Sequence, residues 1–337
     1  MEIQAAIQAV IDHRDLTADE MYTVMKCIMT GGATPAQIGG FLIGLRMKGE
    51  TVEEIASAAA VMRELATPVC VDAPYLVDTC GTGGDSAVTF NISTCCAFVA
   101  AAAGAHVAKH GNRSVSSSSG SADVLEAAGA RLDLAPERIA QCVKEVGVGF
   151  MFAPAHHGAM KHAIGPRKEL ATRTIFNLLG PLTNPAGAPN QVIGVFSVEW
   201  VVPLANVLKN LGARHVMVAH AEDGMDELSI SSPSRVAELK NGEITSYMVS
   251  PQNYGIQAGE AQDLKARDAQ QSLQLMHSVF DNQPGPAREI VAFNAGAAIY
   301  TSGVRDSLAK GVEAAKAAIE NGEAKRRFEA FIDFSKA

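Results

Sequence analysis

The chain has 337 residues, 47% hydrophobic and 19% charged, which excludes a disordered polymer and allows a large core divided most simply between two domains. Its 28 Lys plus Arg against 36 Asp plus Glu leave a net charge of −8, which disfavours a broad nucleic-acid footprint and leaves room only for local basic patches. The six cysteines form no C-x-x-C pair, the apolar run 95–105 is too short to span a bilayer, and the N-terminus carries no secretory pattern, so a cytoplasmic protein with reduced thiols is expected.

Residues 1–73 read as a small helical domain. Ile3, Ile7, Val10 and Ile11, then Met21, Val24, Met25 and Ile28, recur at helical spacing. Helix starts are marked at Thr17/Glu20, Thr34/Gln37 and Thr51/Glu54, each a capping hydroxyl three residues ahead of Glu or Gln, and Pro35 suits a first helical turn. Gly31-Gly32 and Gly49 stop the helices before them. Helices this short bury little apolar area unaided, so they are expected to dock on another surface or on a second copy of the chain.

From residue 74 the pattern changes. Short apolar runs at 76–78, 105–108, 148–152, 191–196 and 215–220 alternate with helical segments at 92–103, 122–129, 136–146 and 201–211. This predicts an α/β domain over 74–337 with a mostly parallel central sheet flanked by helices, its ligands gathered at the carboxyl ends of the strands. Asn241-Gly242 between the runs 235–240 and 243–249 predicts a two-residue hairpin. Helices are expected at 266–281, 286–301 and 307–335, the second of them buried because 292–300 is nearly all small or apolar.

The stretch Asp78-Thr79-Cys80-Gly81-Thr82-Gly83-Gly84-Asp85 follows apolar Tyr75-Leu76-Val77 and precedes Asn91-Ile92-Ser93-Thr94, the order of strand, glycine loop and helix. Three glycines within 81–84 let main-chain N–H groups approach an anion at a helix N-terminus. The pattern is neither G-x-G-x-x-G nor a loop ending in Gly-Lys-Ser/Thr, which counts against a dinucleotide or P-loop reading. A second polar cluster, Lys109-His110-Gly111-Asn112-Arg113-Ser114, continues through a serine run to Asp123. Lys109 and Arg113 bring positive charge, Ser117 and Ser121 bring hydroxyl donors, and Ser121 is placed to cap the next helix. A flexible linker has a similar serine content, but linkers seldom begin Lys-His-Gly-Asn-Arg between two ordered elements.

Glu222-Asp223-Gly224-Met225-Asp226-Glu227 follows a strand run. On composition alone an acidic surface turn is commonplace; beside two anion-binding segments, its hard oxygen donors favour Mg²⁺. His156 and His157 are adjacent and cannot share one helical face, and with no acid or thiol at suitable spacing they read as partly exposed or substrate-lining rather than as zinc ligands. Arg167, Lys168 and Arg173 lead into Phe176-Asn177-Leu178-Leu179-Gly180-Pro181-Leu182-Thr183-Asn184-Pro185, a structured loop in which one arginine is suited to hold a substrate carboxylate. No nucleophile motif occurs, so catalysis by positioning and charge stabilisation is expected.

The motifs at 78–85, 91–94, 109–123 and 177–185 together resemble the anthranilate phosphoribosyltransferase family, over nearly the whole chain. The resemblance implies a nucleoside phosphorylase/phosphoribosyltransferase-like fold, with 165–185 packing on the helical domain, and a homodimer through that domain. It also implies Mg²⁺ and the joining of anthranilate to 5-phosphoribosyl 1-diphosphate (PRPP), a step of tryptophan biosynthesis. By resemblance Gly81, Gly84, Asp85, Thr89, Asn91, Ile92, Ser93, Thr94, Lys109, Ser117 and Ser121 contact the donor. Ser93, Asp226 and Glu227 serve the metal, while Gly81, His110, Asn112 and Arg167 hold anthranilate, with Arg167 meeting the carboxylate. Lys109 is the candidate for stabilising the leaving group. A pyrimidine nucleoside phosphorylase has the same implied architecture, but its lysine-rich phosphate segment is poorly matched by Asn112-Arg113-Ser114. A nucleic-acid-binding relative is disfavoured by the net charge of −8 and by Asp226-Glu227.

Overall fold

A computed structural model of the chain describes residues 1–84, 88–114 and 119–337. Helices α1 (Ile3–Ile11), α2 (Ala18–Met29), α3 (Pro35–Lys48) and α4 (Val52–Glu64) form an N-terminal layer. All three expected starts close as reciprocal caps. At α4, for example, Thr51 Oγ1 accepts from Glu54 N at 3.2 Å while the Glu54 carboxylate accepts from Thr51 N at 2.8 Å.

Next come β1 (Leu76–Gly81), α5 (Ile92–Ala102), β2 (His106–Gly111), α6 (Ser121–Ala127), α7 (Pro136–Val146), β3 (Val148–Phe152), α8 (Ala153–His156), α9 (Lys161–Leu170) and α10 (Phe176–Leu179). The remainder is β4 (Asn190–Gly194), α11 (Val201–Asn210), β5 (His215–Ala221), β6 (Ser234–Lys240), β7 (Glu243–Val249), α12 (Ala269–Phe280), α13 (Pro286–Ser302), α14 (Leu308–Glu320) and α15 (Glu323–Lys336).

The seven strands form one sheet in the order β3-β2-β1-β4-β5-β6-β7, parallel from β3 to β5 and antiparallel at β6 and β7. The chain runs outward from β1 to β3, then returns to the other side of β1 with β4. The strand order therefore switches direction between β1 and β4, and the crevice expected of such a sheet lies at the carboxyl ends of the strands there. The β6–β7 hairpin turns on Asn241 and Gly242, both at positive φ (53° and 79°), as a two-residue turn of this kind requires.

Strand alternation builds a core on each face of the sheet. Val192, Met217, Ala219 and Val236 pack with α5 and α13, whose Phe98 and Phe293 are buried beside Phe280 and Phe331. On the other face Ile193, Val195, Val216, Val218, Ala237 and Leu239 pack with α11. That second cluster continues without a break into Phe41, Leu42 and Ile55 of the N-terminal helices and takes in Ala163, Phe176 and Leu179 of α9 and α10. The short helices thus dock on the sheet layer, with α4 against α11 and α9 against α3. Helix α13 is buried along nearly its whole length, as its composition predicts. No helix among the described residues is long and apolar enough to cross a membrane.

Several boundaries differ from the sequence expectation; β4, for instance, ends at Gly194 and α12 begins at Ala269. β1 and β2 run three residues further, to Gly81 and Gly111, because ladder hydrogen bonds to β4 and β3 continue after the apolar run stops. The single helix expected at 307–335 is two, broken at Gly322, which stands at φ 73°. Helix α6 is capped at Gly120 and begins at Ser121, one residue early, since Asp123 Oδ2 accepts from both Gly120 N (2.7 Å) and Ser114 N (2.9 Å).

At the opposite end of the sheet from the crevice, Glu238 accepts hydrogen bonds from His215 Nε2 (2.8 Å), Tyr247 OH (2.7 Å) and Tyr300 OH (2.6 Å). Burial alone would push this carboxyl up; the His215 and tyrosine hydrogen bonds outweigh it and bring the carboxyl down to about 2. A carboxyl depressed in the fold contributes stability above its unfolded pKa and loses it as the pH falls toward the folded one. Glu238→Gln is therefore expected to cost roughly 1–3 kcal/mol at pH 7, with the gap to the native chain closing between about pH 4.5 and 2. Urea midpoints across that range check both.

Candidate active site

The glycine loop leaves β1 at Gly81 and is tethered from three sides. Thr82 N donates to Gly194 O at 2.9 Å and Thr82 Oγ1 accepts from Phe196 N at 3.0 Å, fixing the loop to the end of β4. Gly83 N donates to Asp226 Oδ2 at 2.9 Å, fixing it to the acidic turn after β5. The Arg173 guanidinium, stacked 4.1 Å over the Phe196 ring, donates to Gly84 O. The acidic turn sits close because residue 194 has no side chain: a Cβ there would lie 1.4 Å from Asp226 O. From α13, Asn294 brackets the same turn, accepting from Leu228 N (2.8 Å) and donating to Leu228 O (2.9 Å).

Behind the loop, Lys109 is buried on β2, its Nζ donating to Thr79 O and, at 3.3 Å, to Ser93 Oγ at the start of α5. Ser93 and Glu227 line one small cavity together with Thr79, Cys80 and Asn294. Hydroxyl and carboxylate oxygens of this kind suit a hard divalent cation that keeps further ligands from water or substrate. Among the described residues no group of three or more His, Cys, Asp or Glu side chains is arranged to hold a metal.

Of the remaining residues singled out for the donor, Asn91 is held by both flanking segments. Its Oδ1 accepts from Ser119 Oγ (3.0 Å) and Ser272 Oγ (2.7 Å), and its backbone N–H also reaches Ser272 Oγ (2.9 Å). Thr89 forms an isolated antiparallel bridge with Lys265. The Ile92 side chain lies in the core, and the Thr94 hydroxyl is buried with no hydrogen-bond partner among the described residues. Ser121 Oγ contacts Asn112 O at 3.5 Å. Asp85 and Ser117 lie outside the described residues. Arg113, counted among the positive charges of the second cluster, is committed elsewhere: it pairs with Glu126 at 2.6 Å and covers the Phe152 ring.

On the other side of the crevice, His110 Nδ1 lies 2.6 Å from Asp78 Oδ2 and Nε2 lies 2.8 Å from Gly180 O. Burial disfavours the imidazolium, but neighbouring Cys80 and Asp78 outweigh it and hold His110 protonated well above the usual histidine range. Asp78, fully buried, is in turn kept below the usual carboxylate range, burial being outweighed chiefly by His110. His156 and His157 are both buried, not partly exposed: they sit on the turn out of β3, and His156 Nδ1 meets Thr67 O at 2.9 Å. Burial first, then the charges of His110 and His156, bring His157 down to about 4, and its Nε2 has no partner. Asn112 is exposed, its Oδ1 accepting from Arg113 N at 2.8 Å. Arg167, in the last turn of α9, is half-buried 5.1 Å over the Phe176 ring. Burial lowers its pKa, with no opposing carboxylate contributing.

Sequence reasoning missed Gly194, Asn294, Ser272 and the pairing of Asp78 with His110, and it gave Thr82, Ser119 and Arg173, though quoted within their motifs, none of the tethering roles seen here. Of the missed residues Gly194 carried a local signal, a glycine at the carboxyl end of a predicted strand.

This architecture of a helical layer on an α/β sheet is that of a glycosyl transferase. Residues 73–325 match the glycosyl transferase family a/b domain, and residues 4–66 match the helical bundle domain of that family. The chain is 60% identical over 335 residues to the anthranilate phosphoribosyltransferase of Thioalkalivibrio sulfidiphilus, 99% of each chain being covered. It is likewise 60% identical over 332 residues to that of Alkalilimnicola ehrlichii, covering 98% of each. Among solved structures it superposes on anthranilate phosphoribosyltransferase from Thermus thermophilus with a TM-score of 0.93 at 42% identity, covering 98% of this chain and 99% of that one. The Saccharomyces cerevisiae enzyme in complex with PRPP and Mg shares the fold, with a TM-score of 0.90 at 23% identity, covering 99% of this chain and 98% of that one. The chain belongs to the anthranilate phosphoribosyltransferase family.

The close approach at residue 194 generates a prediction. Gly194→Ala forces the backbone of the acidic turn away and is expected to destabilise the protein by about 2–3 kcal/mol or more. Gly158→Ala, where an added Cβ meets nothing within 4 Å, is expected to stay within about 0.5 kcal/mol. Paired denaturant melts decide it.

Proposed function

We propose that this protein transfers the phosphoribosyl group of PRPP to the amine of anthranilate, giving N-(5-phosphoribosyl)anthranilate and pyrophosphate, a step of tryptophan biosynthesis. What supports the reading is the polar grouping around the glycine loop: Asp226 bonded to Gly83 N, Lys109 bonded to Ser93, and Glu227 lining one cavity with Ser93. Arg167, stacked over Phe176 and without an ion pair among the described residues, is the cation this reading assigns to anthranilate.

In this reading Gly81, Gly84, Asp85, Thr89, Asn91, Ile92, Ser93, Thr94, Lys109, Ser117 and Ser121 bind the donor, through side chains or backbone. Gly81, His110, Asn112 and Arg167 form the acceptor side. The C1–O bond to diphosphate breaks, its electron pair leaving with pyrophosphate; the amine nitrogen bonds to C1 and gives up one proton. Positive charge develops on C1, so what the protein must supply is alignment and stabilisation of the departing oxygen, and the buried Lys109 ammonium is placed for the second task. An aromatic amine is unprotonated near neutral pH, which removes the need for a strong base at the start. Ser93, Asp226 and Glu227 would hold Mg²⁺ jointly with the donor's oxygens. When bound, the metal offsets negative charge gathering on the diphosphate.

Arg167 would meet the anthranilate carboxylate with a bidentate pair. Arg167→Ala is expected to raise the anthranilate KM about tenfold or more while leaving the PRPP KM near its native value; an unchanged anthranilate KM removes that role. Asp226→Asn combined with Glu227→Gln is expected to shift the Mg²⁺ requirement to higher concentration, and a native titration curve counts against the metal assignment. The activity itself is tested by mixing the protein with anthranilate, PRPP and Mg²⁺ and following anthranilate fluorescence, which should fall. Persistent fluorescence across pH and metal concentration sinks the reading.

A homodimer through the helical part and a cytoplasmic location belong to the same proposal, as does the division into a helical unit 1–73, with 165–185 packed on it, and an α/β unit 74–337. The dimer is supported by an apolar stripe on the outside of α3, where Ala36, Gly40, Ile43 and Met47 recur at helical spacing beside Ile7 and Ile11 of α1. Met47 is 75% exposed and Ile11 59%, an unusual state for such side chains unless another surface covers them. Sedimentation of the native chain should report a dimer, and Ile11→Glu with Met47→Glu a monomer.

A further inference from the structure

We infer that Asp78 is a positioning residue for the acceptor half of the reaction: its carboxylate holds His110 as a doubly protonated ring, and that ring fastens the Gly180 carbonyl, with the turn 180–184, to the ends of β1 and β2. The inference rests on the proposed function and deepens it on the anthranilate side.

The charge state follows from geometry. A neutral imidazole has one N–H and one lone pair, so it can donate to only one neighbour. His110 faces the Asp78 carboxyl at 2.6 Å and the Gly180 carbonyl at 2.8 Å; with Asp78 ionised, as the neighbouring His110 and Lys109 favour, both are acceptors and the ring satisfies both only with a proton on each nitrogen. Other groups around the ring leave this assignment in place. The Asn184 amide flanks Nδ1 at 3.4 Å, but its orientation is set by donation to Ala108 O (2.8 Å) and acceptance from Ala186 N (2.8 Å). From β1, the Cys80 sulfur lies 3.8 Å from Nε2. The Lys109 charge on β2 also favours the ionised Asp78, while His157, on the turn after α8, is itself kept neutral by burial and by the His110 charge.

The pair has a mechanical consequence. Gly180 O also accepts from Thr183 N (3.2 Å) and Thr183 Oγ1 (3.0 Å), both within the turn, so among the described residues His110 is its donor from outside. Pro181 has no N–H, which leaves the turn short of backbone bonds of its own. Two further side chains fasten it to the sheet: Gln191 Nε2 donates to Pro181 O (3.1 Å), and Asn184 reaches Ala108 O. With both nitrogens committed to the protein, His110 acts on the acceptor as a fixed positive charge and a wall of the site. A buried ion pair is a costly way to gain stability alone; here it sets the position of a turn that follows directly on α9 and α10, which carry Arg167 and its partner Phe176.

The test combines a spectrum with kinetics. In the native protein, ¹⁵N-histidine NMR, with the His110 signals assigned by their loss in His110→Gln, should show both ring nitrogens protonated from pH 6 to 9; a neutral ring at pH 8 overturns the inference. Asp78→Asn should raise the anthranilate KM about tenfold or more, leave the PRPP KM within about twofold, and speed amide exchange in 180–184. An unchanged anthranilate KM, or an equal rise in both constants, overturns it. Should Asp78→Asn not fold, His110→Gln, which keeps one donor and loses the charge, must show the same split between the two KM values. If the native protein consumes no anthranilate with PRPP, the proposed function falls while the NMR and exchange arms still decide the clamp.

Discussion

The crevice is organised around one close approach, the acidic turn after β5 lying against the end of β4. Asp226 O occupies the space a side chain at position 194 would need, so the turn can press flat on the sheet edge. From there the Asp226 carboxylate reaches Gly83 N–H and stops the glycine loop from swinging away. The arrangement requires a support behind it, which Asn294 provides from α13. A helix buried along nearly its whole length carries that amide, so a core helix sets the position of the acidic turn.

Strand alternation then separates the two halves of the site. Successive side chains of a strand point to opposite faces. On β2, Lys109 points to Thr79 and Ser93 at the start of α5, while His110 points to Asp78 and the turn after α10. On β1, the adjacent Asp78 and Thr79 divide in the same way. Two neighbouring cations therefore serve different sides of the sheet edge without competing for one partner, which a helix or a loop would not ensure at a spacing of one residue.

Features legible in the sequence were those encoded within a few residues. The three capping boxes, the Asn241-Gly242 hairpin and the buried α13 each depend on neighbours along the chain, and each formed as read. Strand ends were misjudged because the apolar runs stop short of the sheet edge, although the ladder continues beneath polar side chains such as Thr79, Lys109 and His110. Asn321-Gly322 was a readable break that helical periodicity on either side obscured. The pairing of Asp78 with His110, the reach of Arg173 to Gly84, and the grip of Ser119 and Ser272 on Asn91 join residues 28 to 181 positions apart, beyond any local pattern. Arg113 shows the opposite error, a charge that looked free in the sequence and is neutralised by Glu126 one helix away.

The apolar cluster that runs from Phe41, Leu42 and Ile55 into Val216, Val218 and Leu239 also governs how the helical layer can move. A layer joined to its neighbour by a thin waist can swing open freely; one that shares interlocked side chains across a broad seam cannot. Displacement of α1–α4 over the sheet must proceed by shear, through small slips in which side chains keep their partners or exchange them one rotamer at a time. Any opening of the site by this layer is thereby confined to short travel.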